Sequence, residues 1–377
     1  MRSSMVFILS ALVLVLPASA GPGIVGLGHL TALDGTAATG ISADGNYVTG
    51  VSTQGLTSFI PLRWSIAGSV SLQQLPLPSG WTSAQSRFIS ADGETVLGWR
   101  QQGGAFPGFR WSPSTGSVAL SNPAGWSQIR TRDVSPDGSA AIGEATISGV
   151  GTRAVRWVGA NPGTPLTVPV GYVHTQATTF DAFGRIYGAG LDSGGATHLL
   201  RWTGDVPQAI TPLPSTPLNP SAPFWASADG HVIGGLTSFT DAVPFREESW
   251  VWTADNGFTI IPALPGFHSV IISDISADGG LILGTNLNAD ATTQAAFVWT
   301  RDRGTLSLHQ FLSEAGVDLT GWTLGTVSGI SADGTRLVGS GSGPAGRPEG
   351  FLAIIPAPAS ALALGCGLLL AGFRRRD

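Results

Sequence analysis

Three residue types recur at fixed spacing and could do chemistry. Asp44, Asp92, Asp137, Asp229, Asp278 and Asp333 each precede a glycine inside near-copies of an Ile-Ser-Ala-Asp-Gly segment. Such carboxylates could bind cations, but calcium needs roughly six to eight oxygens converging on one point. Turns on separate repeats stand too far apart for that, and the fourth copy carries Phe183 instead of Asp. A structural role is expected: the carboxylate bonds nearby backbone N–H groups and the glycine accepts a positive φ. Trp64, Trp111, Trp157, Trp202, Trp252 and Trp299 recur at one place in six of seven units, as packing between neighbouring sheets requires. Trp99, Trp225 and Trp250 break that pattern and are the candidates for ligand stacking at the surface. Arg63, Arg110, Arg156 and Arg201 precede the repeated Trp, so their side chains alternate to the other strand face. They could form a basic track for acidic glycans, but local ion pairs and aromatic stacking are the expected use. His29, His174, His198, His231, His268 and His309 form no HxH pair and no HExxH motif. No Gly-x-Ser-x-Gly elbow and no phosphate loop is present. No catalytic residue, metal ligand or cofactor is assigned on this basis.

The elements that must position these residues follow from the repeat. The turn glycines are Gly45, Gly93, Gly138, Gly184, Gly230, Gly279 and Gly334, spaced by 48, 45, 46, 46, 49 and 55 residues. A second glycine follows five residues later as Gly50, Gly98, Gly143, Gly235, Gly284 and Gly339; the fourth unit slips, with Gly188 and Gly190 around that place. Each unit divides into four short strands, as in SAQSRFIS, TVLGWR, AFPGFRW and SVAL of the second. Asp-Gly flanked by alternating apolar residues is a hairpin signal. Four strands per repeat of this length is the measure of a propeller blade. The expected fold is all-β: a seven-bladed β-propeller with four-stranded blades. The seventh unit lacks a fourth strand, whereas residues 24–31 form an orphan strand ahead of the first. That strand is expected to pair antiparallel with Phe351–Ile355 in the last blade, which removes an open sheet edge.

Composition sets the address. All 19 basic residues are Arg, and the 377-residue chain has a net charge of −5. Residues 21–355 hold 15 Arg and 23 Asp plus Glu, a net of −8. Such a domain is a poor nucleic-acid partner, because phosphate contacts need clustered cations. Cys366 is the sole cysteine, so the main domain has no disulfide and no Cys chemistry. Residues 1–20 read as a signal peptide: Arg2, an apolar stretch from Val6 to Leu16, then Ala18-Ser19-Ala20 as the cleavage site. Residues 356–377 carry Pro356 and Pro358, an uncharged run from Ala359 to Phe373, and Arg374, Arg375 and Arg376. That run is short for a membrane span, and the Arg triplet would hold its end in the cytoplasm. Membrane association through this tail before processing is expected.

The tail resembles the PEP-CTERM sorting signal of Gram-negative bacteria, with Ala357 where that motif has Glu. The resemblance implies an exosortase-type sorting protease as a partner. The repeat units resemble the HAF-type repeats of bacterial extracellular proteins, on their Ile-Ser-Ala-Asp-Gly turns and on Ala296-Phe297-Val298-Trp299 and His198-Leu199-Leu200-Arg201-Trp202. A looser likeness links the turns to TolB-like and WD-type propellers. The expectation is a secreted or surface-displayed propeller with a binding or structural role in the envelope or extracellular matrix. Its partner would be an extracellular polysaccharide or an envelope protein. The alternative is a propeller-fold polysaccharide lyase or glycoside hydrolase, which would gather irregular polar residues around the central channel.

Overall fold

The computed structural model describes residues 21–30, 35–54, 58–159, 161–214 and 221–356. It contains seven four-stranded antiparallel sheets arranged as blades of a ring. The first strands of the seven repeats are Gly35–Ile41, Gln85–Ile89, Trp126–Val134, Tyr172–Phe180, Ser221–Ala226, Ser269–Ile275 and Thr323–Ile330. These strands surround a central channel. The second strands are buried on both faces because each lies between neighbouring blades. Ala140–Ile147, with its small and apolar run, is the clearest case.

The expected closure is present, in a shorter form. Gly23–Gly26 pairs antiparallel with the strand Pro348–Ile354, in register Gly23↔Ile354 to Gly26↔Phe351. Leu27 then continues the bond pattern, its N–H donating to the Gly350 carbonyl at 2.8 Å. The first five blades end in the same way: Leu75, Leu120, Leu166, Leu213 and Ile261 are buried, and each N–H bonds a carbonyl of its own blade's third strand or that strand's edge. Leu27 therefore occupies a repeat position even though it lies at the other end of the chain.

The turns are held from within. In the second unit Ser90 Oγ donates to Asp92 Oδ1 at 2.6 Å, and Asp92 Oδ1 accepts the Glu94 N–H at 3.0 Å. The Thr95 N–H closes the loop on Ser90 Oγ at 2.9 Å, with Gly93 at φ 72°. The fourth unit repairs its missing Asp two residues earlier. Asp181, at the Ser position, accepts the N–H groups of Phe183 and Arg185 at 3.0 Å. This turn is one residue shorter, which accounts for the slip of the next glycine to Gly188.

That second glycine has a steric cause. At Gly98 an added Cβ would overlap the Gln85 carbonyl and the Phe109 ring. Each inner strand carries a β-bulge at the matching place, between Ser86 and Phe88 in the second blade. The bulge presses a carbonyl onto the second strand, so only glycine fits there.

The repeated tryptophans are core residues. Trp64, Trp111, Trp157, Trp202 and Trp299 are buried, while Trp252 is half-buried. Three of them also pin the chain entering their blade: Trp64 Nε1 donates to Leu27 O, Trp157 to Ser121 O and Trp202 to Thr167 O. Among the described residues one helix, α1 (Leu308–Glu314), interrupts the all-β pattern after the sixth blade. Ser307 caps it and Leu308 and Leu312 bury its inner face, so it fills the extra length of the last repeat.

Candidate functional site: the central channel

The channel encloses about 1130 Å³. Its wall is set by the seven bulges. The extra residues are Thr39, Arg87, Arg132, Thr178, Phe224, Ser273 and Ser328, and all seven line the cavity. Four carry a hydroxyl. Thr39 Oγ1 donates to Ser86 O, Ser273 Oγ to Val327 O and Ser328 Oγ to Ala38 O, so each ties its blade to the next. Arg87, Arg132 and Phe224 break this use on the second, third and fifth blades.

Around the turns, a belt of backbone bonds links neighbouring blades: Ala332 N–H to Ala43 O, Asp44 to Ala91, Ala91 to Pro136, Ala182 to Ala228 and Ala228 to Ala277. Pro136 has no N–H to give, so the third-to-fourth joint lacks this bond, and the sixth-to-seventh joint lacks it too among the described residues. At those two joints an aspartate takes over. Asp133 accepts the N–H of Val134 at 2.8 Å and of Phe180, on the next blade, at 2.9 Å. Asp274 accepts Ile275 N–H at 2.8 Å and Ile330 N–H, on the seventh blade, at 2.9 Å. Both residues line the channel and are half-buried. Burial pushes each up to about 7, against the pull of its N–H donors, and the Asp133 charge adds to the rise at Asp274.

Cations and rings also line the channel wall. Arg132 Nη2 bonds Glu144 Oε1 at 3.0 Å, and Arg130 Nε lies 3.8 Å from the same oxygen. The Arg132 guanidinium sits 5.4 Å from the Phe224 ring, and Phe224 contacts Trp225 with centroids 5.4 Å apart. Trp99, at the end of the strand Val96–Trp99, packs against Phe88 and edge-on against Phe106. The Arg87 guanidinium stands 5.9 Å from the Trp99 ring and has no hydrogen bond or ion pair among the described residues. Surrounding protein holds its pKa below the usual arginine value.

Two of the three irregular tryptophans, Trp99 and Trp225, line the channel and are half-buried. Trp250, expected at the surface, is instead fully buried. It pairs with Gly235, its Nε1 donates to Ser221 Oγ at 3.0 Å, and it packs edge-on to Phe258. It fills the place that Phe109 and Phe297 fill opposite Gly98 and Gly284. The Arg-Trp arginines form no track. Arg63 pairs with Glu94 and lies 3.7 Å over Tyr47, Arg110 bonds Gly138 O, Arg156 pairs with Asp205, and Arg201 bonds Gln208. None of the six histidines lines the channel, and no three His, Cys, Asp or Glu side chains converge among the described residues. Ala18, Ala20, Pro358, Arg374, Arg375 and Arg376 lie outside the described residues, whereas Pro356 is their exposed last member. No described helix is long and apolar enough to cross a membrane.

Sequence reasoning missed Arg87, Arg132, Asp133, Phe224 and Asp274. A signal was present: Arg87, Arg132 and Phe224 stand three residues before the turn Ser, where the other four units place Thr or Ser, and Asp133 and Asp274 stand two before it, where three other units place Thr or Gly.

These features define a seven-bladed β-propeller with a decorated channel. No protein-family description and no curated protein matches the chain. Solved structures share its fold. An oligogalacturonate lyase from Vibrio parahaemolyticus is 11% identical with a TM-score of 0.55, covering 88% of this chain and 93% of its own. An oligogalacturonate lyase in complex with manganese is 12% identical at the same TM-score and coverage. The propeller domain of the trilobed protease from Pyrococcus furiosus, described as having an open velcro topology, is 10% identical with a TM-score of 0.50, covering 85% and 95%. At such identities the likeness is one of fold.

Proposed function

We propose that the chain is an exported binding propeller of the bacterial envelope or extracellular matrix, non-enzymatic, that takes a polysaccharide segment into its central channel. One observation carries this reading. Seven equivalent bulge positions face the channel, and three of them carry Arg87, Arg132 and Phe224 where the other four carry a hydroxyl. Packing does not ask for these changes, since Thr and Ser serve the same position on the other four blades. With Trp99 and Trp225 they supply ring faces and hydrogen-bond donors, the equipment of a saccharide site. Export rests on the signal-like residues 1–20, and sorting by an exosortase-type protease rests on residues 356–377. A glycan-binding screen of the exported chain tests the reading, with binding lost in Trp99→Ala and Trp225→Ala. No binding to any glycan would refute it.

One observation favours a second reading, a propeller-fold polysaccharide lyase or glycoside hydrolase. Asp133 and Asp274 are channel carboxyls poised near neutrality, where proton transfer is efficient. Against it, both carboxyls are already engaged by backbone N–H groups across blade joints. A polymer-degradation assay beside the screen separates the two: product release abolished by Asp133→Asn or Asp274→Asn would establish the enzyme.

A further inference from the structure

Arg87 is the channel group with the least to do. It sits on the bulge of Gln85–Ile89, faces the cavity, and finds no acid and no carbonyl among the described residues. Its side chain is exposed to the channel, so the guanidinium is free to take up an anion there. The neighbouring bulge carries Arg132, whose Nη2 is held by Glu144 while its Nε is buried without a partner. The acids nearby oppose an anion weakly: Glu144 is taken up by Arg130 and Arg132, Asp181 by Arg185, and Asp133 and Asp274 accept backbone N–H groups, with burial favouring their neutral forms. Beside Arg87 the half-buried Trp99 ring lines the channel, and the aromatic pair Phe224 and Trp225 also lies on the wall.

Resting on the reading of the channel as a saccharide site, we propose that it selects acidic saccharides, with a uronic acid carboxylate held by the Arg87 guanidinium and the sugar ring laid on Trp99. A carboxylate matches the two-pronged donor geometry of a free guanidinium, and a pyranose presents an apolar face to indole. Neutral sugars would use the ring surface and leave Arg87 unpaired. The ligand class is thus set by one residue at a position that, on four other blades, is a hydroxyl.

The test is calorimetric titration of the purified full chain with short oligouronates and with the same oligomers after carboxyl reduction. The acidic form is expected to bind at least about tenfold more tightly, the scale of one hydrogen-bonded ion contact. Arg87→Gln should remove that preference while binding to the reduced form stays within about twofold. Unchanged melting of Arg87→Gln checks its fold, and the comparison of the two ligands on the natural protein needs no variant. Equal binding of both forms would overturn the acidic preference and leave the saccharide reading standing. Binding of neither would overturn the acidic preference, and an empty glycan screen beside it would overturn the saccharide reading as well.

Discussion

Leu27→Ala tests whether the ends of the chain are truly one blade. Leu27 is 2% exposed and belongs to a cluster with Val48, Leu62 and Trp64 of the first blade and Val338 and Leu352 of the seventh. Truncation removes three buried carbons, about 2.4 kcal/mol of transfer free energy at ~0.8 kcal/mol each. The lining comes from two sheets locked by their ladders, so the cavity collapses little and adds a further term. A total of about 3–4 kcal/mol is expected, within the range of ~2–5 kcal/mol for buried Leu→Ala changes. At roughly 2–3 °C per kcal/mol for a large domain, the melting temperature falls by about 6–12 °C. Leu75, 0% exposed at the same place on the first blade, is the internal reference. Leu75→Ala should cost a similar amount, although Leu75 lies deep in the sequence and Leu27 near its start. Denaturant titration of both variants measures the pair. If Leu27→Ala costs under about 0.5 kcal/mol while Leu75→Ala costs several, the strand Gly23–Gly26 does not close the ring.

Asp92→Ala should cost roughly 1–2 kcal/mol through loss of its bonds to Ser90 and Glu94, and added calcium should leave the melting temperature unchanged. A calcium-dependent rise of several degrees would instead reveal a metal site. Asp133 and Asp274 titrate near 7 in the folded protein, above their unfolded values, so the folded state holds protons that the unfolded state has released. Their contribution is fully present below about pH 4 and is lost as pH rises through about 7. The chain should therefore melt lower at pH 8 than at pH 6, and the double variant Asp133→Asn, Asp274→Asn should show a flatter profile; an unchanged slope would refute the assignment. Intact mass of the native protein should show loss of residues 1–20 and of the segment after about Pro356. A mature form that keeps the tail would contradict sorting.

The blade count, the turns and the closure were legible in the sequence because they rest on local chemistry. A Ser-x-Asp-Gly turn needs only its own side chains, as Ser90 and Asp92 illustrate. The site was harder to read because it lies on bulges. Strict alternation sends one residue of a neighbouring pair to the channel, yet Arg87 and Phe88, or Arg132 and Asp133, both reach it once an extra residue is inserted. Trp250 was misjudged for a different reason. Trp250-Val251-Trp252 aligns with Phe297-Val298-Trp299, so Trp250 matches a core aromatic instead of breaking the repeat. The helix α1 was hidden in the longest spacing, although Ser307 and the pair Leu308 and Leu312 carry a cap and a buried stripe.

The central claim is that the decorated channel, and not the outer rim or the turn face, receives the ligand. A crystal structure of the chain with the tightest-binding saccharide from the screen tests this most directly. The account predicts sugar density inside the channel, in contact with Trp99 and the Arg87 guanidinium. Density on the outer strands or over the Asp-Gly turns, with the channel holding only water, would contradict it.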